Sequence, residues 1–157
     1  MKLIVVEGTS DRVALETLGR RRGINPLEIV VLGGAHAVTR YVPFAPHDRQ
    51  LVGLCDADEA PVFQRALNRV HVCTPDLEGE LIRALGTERV QYLLDAEGEL
   101  RSFRTLQKQP ALRARPLEDQ LRRFLSGRSG NKERYARIFV EALDLGRVPE
   151  PLDAALA

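Results

Sequence analysis

At 157 residues, with 44% hydrophobic and 29% charged side chains, the chain has the size and composition of one globular domain with a sizeable core. Lys and Arg number 23 against 22 Asp and Glu, so the formal charge of +1 singles out no class of partner, and no apolar run reaches the ~20 residues of a membrane helix. Cys55 and Cys73 sit inside apolar runs without zinc-ligand spacing, which reads as two buried thiols.

In chain order, residues 2–6 form a short apolar run ending in an acid, a strand rather than a signal peptide, and a cytoplasmic location follows by default. Ser10 is a natural N-cap for a helix running to about Arg22, which Gly23 ends. A second strand spans residues 27–32, closed by the turn Gly33-Gly34, and residues 35–44 predict a helix stopped by Pro43 and Pro46. Strands at 50–55 and 69–73 flank a helix over 60–68 with Pro61 in its first turn. The runs are rich in Val, Ile and Leu with little polar alternation, as strands covered on both faces are. Strand and helix alternating in this way imply right-handed βαβ units and a mostly parallel four-stranded sheet with helices on both faces.

After Pro75 the pattern turns helical, with segments at 76–85, 89–94, 100–107, 117–125 and 132–143. The stretch 127–131, Gly-Arg-Ser-Gly-Asn, is a break, and the tail after Gly146 reads as irregular until a short last turn. The predicted organisation is a catalytic core over 1–95 and a helical extension over 96–157, packed as one compact unit. Charge divides along the same line. Residues 1–100 hold 11 Lys/Arg and 15 Asp/Glu, and residues 101–157 hold 12 and 7. An acidic first part and a basic second part fit a metal site followed by a phosphate-contacting surface, while charge alone favours the plainer reading of solvated basic helix faces.

In an open parallel sheet ligands bind outside the carboxyl ends of the strands. Glu7 stands at the first such end, with Asp11 in the first turn of the following helix. The third strand ends in Asp56-Ala57-Asp58, a pair that can turn together toward a hard cation, which prefers oxygen ligands. The fourth leads into Asp76-Leu77-Glu78-Gly79-Glu80, where Asp76 is the N-cap and Glu78 or Glu80 can reach the pocket. Lys132 opens a helix, a place unfavourable for a cation unless something else holds it there. His36, His47 and His71 share no ligand spacing, and no Gly-x-x-x-x-Gly-Lys-Ser/Thr loop is present.

Together, Glu7-Gly8-Thr9-Ser10-Asp11 after the first strand, Asp56-x-Asp58 after the third and the acidic helix start after the fourth resemble the Toprim domain. That domain is shared by topoisomerases, bacterial primases, recombination-mediator proteins and OLD-family nucleases. The run from Thr74 to Leu81, with a basic extension holding Lys132, looks most like the OLD version, and the motifs cover about residues 3–85. The resemblance implies a Toprim-like (Rossmann-like) fold and a DNA-cutting enzyme using one or two Mg²⁺ or Mn²⁺ ions. Glu7, Asp56 and Asp58 would hold one ion, with Glu7 and Asp56 also acting in catalysis. Asp11 and Glu78 would hold the other, and Lys132 would stand by the scissile phosphate.

OLD proteins usually carry an ATPase ahead of this domain, whereas this sequence begins at the first strand. The resemblance therefore implies either a separate ATPase subunit or a standalone domain, and a homodimer stays open. The competing expectation is a non-catalytic nucleic-acid-binding or assembly subunit that keeps one structural Mg²⁺. A phosphoacceptor receiver-like domain also clusters acids at strand tips, but it needs a fifth strand bearing a lysine.

Overall fold

The structure is a computed structural model and describes residues 1–34 and 36–157. Four strands, β1 (Lys2–Val6), β2 (Ile29–Val31), β3 (Gln50–Asp56) and β4 (Val70–Cys73), form one sheet in the order β2-β1-β3-β4. Every pairing is parallel, with Val6 opposite Val31 and Leu54, and Asp56 opposite Cys73. The register aligns the carboxyl ends of β1, β3 and β4 along one edge.

Side chains alternate across the sheet. Ile4, Val6, Leu54 and Cys73 face the larger core, built with α1 (Thr9–Arg21), α4 (Leu77–Leu85), α5 (Thr87–Ala96), α6 (Leu100–Gln107), α7 (Leu117–Ser126), α8 (Asn131–Ala142) and α9 (Glu150–Leu156). Val5 and Cys55 face the opposite layer, where Val38 of α2 (Ala37–Tyr41) and Phe63 and Leu67 at α3 (Ala60–Ala66) cover them. Helices therefore lie on both faces, as the apolar runs predict. Gly53 is required here: a Cβ would stand 2.9 Å from both Leu67 Cδ1 and Phe63 Cδ2.

The segment after Pro75 shares the sheet's core and has none of its own. Tyr135, Phe139 and Val140 of α8 are buried in the cluster that holds Leu15 and Leu18 of α1. Arg21 Nη1 donates to the carbonyls of Val140 and Leu143, both at 2.7 Å, and so serves the carbonyls at the end of α8. Phe103 and Phe124 meet edge to face at 5.6 Å, joining α6 to α7.

Several boundaries differ from expectation. The N-cap of α1 is Gly8, and Ser10 lies within its first turn, because Asp11 reaches back to the Gly8 amide and takes over the capping role. The second strand shortens to three residues at the sheet's edge. The helix expected over 35–44 is a single turn of α-helix closed by a 3-10 turn at Val42–Phe44, where Pro43 removes a donor; its expected first residue, Ala35, lies outside the described residues. The tail forms a 3-10 turn at Leu145–Arg147 and then α9, which buries Leu152, Ala155 and Leu156 against the strands.

Candidate metal centre

The carboxyl edge of the sheet gathers acids from three strand ends. Glu7 directly follows β1, and its carbonyl accepts from the Gly33 amide at 2.8 Å, which ties the loop after β2 to this end. Gly33 has φ +77, a left-handed conformation open to glycine. Asp11, in the first turn of α1, is 8% exposed, and its Oδ2 accepts from Gly8 N–H at 3.1 Å. Asp56 closes β3 and accepts from the Leu77 amide at the start of α4, 3.0 Å away. Asp76 caps α4 by accepting from Gly79 N–H at 2.8 Å, as the sequence predicts. Of the two glutamates that follow, Glu78 is the buried one; Glu80 bends back to the Thr74 amide and to Arg83. Lys132, in the first turn of α8, places Nζ 3.7 Å from Glu78 Oε1.

Burial and like charge act on these groups together. Loss of solvent, then the Glu78 and Glu7 carboxylates, push Asp11 up to about 7 against the opposing pull of the Gly8 amide and Lys132. Asp56 is pushed up to about 8, first by burial and then by Asp11, Glu78 and Glu59. Glu78 is raised by burial, with Lys132 opposing. Beneath Glu78 and Lys132 lies a void of about 10 Å³ lined by Leu77, Leu125 and Phe139, at the lower bound of what one water needs, so Glu78 gains little solvation from behind. For Lys132 burial lowers the ammonium, but Glu78, Asp56, Asp76 and Asp11 outweigh it, and the net direction is up.

The structure brings Glu7, Asp11, Asp56, Glu78 and Lys132 into one electrostatic neighbourhood. Asp58 stands apart, exposed on the 3-10 turn Ala57–Glu59. Its neighbour Glu59 turns inward. Burial, then the neighbouring Glu7 carboxylate, raises the Glu59 carboxyl to about 7, and among the described residues its buried Oε2 has no hydrogen-bond partner. Glu59 was not legible as a site residue; the signal available was a third acid in the run from Asp56, on a turn tight enough to alternate inside and outside. Arg122 was also missed. Its Nη2 pairs with Asp76 Oδ2 at 2.9 Å and its Nη1 with Asp119 Oδ1 at 3.4 Å, so it closes the wall between α4 and α7. Its place beside Leu121 marks the shoulder of an amphipathic helix, but nothing in the chain order pairs it with an acid 46 residues earlier.

The donor set is all carboxylate oxygen, the chemistry a hard divalent cation takes. A cation would also offset the cost of burying these charges, the chief reason Asp11 and Asp56 are raised, and the smaller like-charge repulsion among them. In that sense the residues fit such an ion. They are not pre-arranged: among the described residues no three His, Cys, Asp or Glu side chains already stand together as a ligand set. Each acid is instead satisfied locally, Asp11 by Gly8, Asp56 by Leu77 and Glu78 by Lys132. Ligation therefore requires these side chains to leave their present partners.

No protein-family model and no curated protein matches this chain. Solved structures do. The C-terminal region of the OLD protein of Xanthomonas campestris pv. campestris superposes with a TM-score of 0.71 at 21% identity, covering 99% of this chain and 89% of that one. The C-terminal region of the Burkholderia pseudomallei OLD protein gives 0.67 at 16% identity, covering 99% and 94%. The likeness shows the fold, an α/β domain of the Toprim-like kind that runs through the helical extension as well as the sheet. Among the described residues no helix is long and apolar enough to cross a membrane.

Proposed function

We propose that this chain, sharing the fold of the OLD C-terminal regions, is a metal-dependent nuclease that nicks or cuts DNA. The observation that carries the reading is the convergence of Asp11, Asp56 and Glu78, all raised by burial and faced by one lysine, beside Glu7 at the end of the first strand. Asp11, Asp56 and Glu78, raised by burial, weaken the bare fold when ionised, and perturbed carboxylates in a cleft mark functional sites. Mg²⁺ or Mn²⁺ held there would activate a water and offset charge on the phosphate oxygens. In this reading Glu7, Asp56 and Asp58 hold one ion and Asp11 and Glu78 a second. Asp58 then has to swing in from the exposed turn, and Glu59, whose carboxyl is raised in part by the neighbouring Glu7, would help keep Glu7 oriented. Lys132 steadies the charge that grows on the scissile phosphate. The basic second part of the chain supplies backbone contacts that fix register without reading sequence.

The test is nicking of supercoiled plasmid with Mg²⁺ or Mn²⁺. Wild type should nick and both Asp56→Ala and an EDTA control should not; equal nicking by Asp56→Ala overturns the assignment. DNA binding without metal-dependent cutting would favour the non-catalytic subunit instead.

A further inference from the structure

Beside the carboxylates the surface folds into a cavity of about 500 Å³, walled by the start of α4, the loop over 108–116, α7 and the start of α8. It shares Asp76, Glu78 and Lys132 with the candidate metal centre, so the two are continuous. Its charges are of two kinds. On the inner wall every cation faces an acid: Arg122 holds Asp76 and Asp119, and Lys132 faces Glu78. On the outer wall Arg115 and Arg123 are exposed and line the same cavity, and among the described residues neither stands within 4.0 Å of a carboxylate. Two uncompensated guanidiniums on a polar concave wall fit a doubly anchored anion, and guanidinium forks match phosphate geometry. The volume lies within the ~300–1,000 Å³ range of ligand pockets, the scale of a short piece of one strand and far smaller than a duplex.

We propose that this cavity is a phosphate subsite for a single nucleic-acid strand: Arg115 and Arg123 hold backbone phosphates flanking the one presented to Lys132. Its relation to a cut rests on the nuclease reading; its occupancy by a strand does not. The geometry separates the roles. Lys132 belongs to the reacting phosphate, while the two arginines position the strand and touch no reacting atom. A duplex must fray, or present a nick or end, before a strand can enter.

The measurement is fluorescence anisotropy of a labelled single-stranded oligonucleotide and of a blunt duplex of the same sequence, in EDTA and again in Ca²⁺, over a salt series. The strand should bind more tightly than the blunt duplex. In the Arg115→Gln/Arg123→Gln double variant its affinity should fall about tenfold, and the slope of log K against log salt should shrink by about 1.4, the loss of two single-strand phosphate contacts. Arg65→Gln, on α3 of the opposite layer, should leave both unchanged. Unchanged affinity and slope in the double variant would overturn the subsite, as would a blunt duplex binding as tightly as the strand, or a mononucleotide displacing the strand at equal concentration. Cleavage is scored separately. A wild type that never cuts in Mn²⁺, while the double variant shows the reduced slope, sinks the nuclease reading and leaves the subsite standing. One that cuts, while the double variant keeps the full slope, does the reverse.

Discussion

Asp11→Asn should stabilise the metal-free protein, and only at high pH. Asp11 is 8% exposed and its carboxyl is raised from 3.8 to about 7, chiefly by burial. A carboxyl whose folded pKa lies above its unfolded value keeps its proton longer in the fold. The wild type therefore carries no penalty below about pH 4, loses stability as pH rises through the interval to about 7, and stays at the full loss above it. A rise of roughly three units at 1.36 kcal/mol each sets a ceiling of ~4 kcal/mol. Asn removes the charge yet keeps an oxygen to accept from Gly8 N–H, so relief of ~2–4 kcal/mol is expected at about pH 8.5. Urea unfolding in EDTA reads this as a midpoint ~1–2 M higher than wild type. At about pH 4 the two midpoints should coincide. Saturating Mn²⁺ should reverse the order at high pH, since the wild type gains binding energy that the variant has partly lost. A variant no more stable than wild type at high pH in EDTA would refute the reasoning, because Asp11 would then not be a desolvated carboxyl.

The same electrostatics predict proton release on metal binding. With Asp11 near 7 and Asp56 near 8, calorimetry at neutral pH in buffers of different ionisation enthalpy should show about one to two protons leaving in total as Mn²⁺ saturates the centre, and none leaving counts against the two as ligands. Lys132→Met should lower the nicking rate about 10²–10³-fold. Mn²⁺ affinity should be held or tightened, because a cation facing Glu78 is removed; a loss of metal binding would make Lys132 structural. Gly53→Ala should destabilise by ~1–3 kcal/mol in urea unfolding, since its Cβ would meet Phe63 and Leu67 at 2.9 Å, and a neutral result would show that the α3 layer yields.

Strand identity, helix order and the two-faced sheet were legible because buried parallel strands leave unbroken Val/Ile/Leu runs and because Asp76, Pro61 and Gly23 punctuate in ways local chemistry dictates. Glu7, Asp11, Asp56 and Glu78 were legible because chain order alone places them at strand ends. What failed to show was whatever depends on which way a side chain turns. The sequence treats Asp58 as the partner of Asp56, yet the 3-10 turn sends Asp58 outward and Glu59 inward. Ser10 looks like a cap until Asp11 is seen holding the Gly8 amide. The Arg122–Asp76 pair and the cavity around Arg115 and Arg123 arise from packing α7 against α4, a long-range event with no local signature. The tail read as irregular because its two prolines mask a helix that forms when Leu152 and Leu156 find the sheet.

The most direct test of the carboxylate centre is diffraction from crystals soaked in Mn²⁺, with anomalous maps at the manganese edge. The account predicts at least one peak at the strand tips, ligated at roughly 2.1–2.2 Å by Asp56 together with Glu7 or Asp11, with Asp56 turned away from the Leu77 amide. Saturated crystals showing no peak within reach of Glu7, Asp11, Asp56 or Glu78 would contradict it.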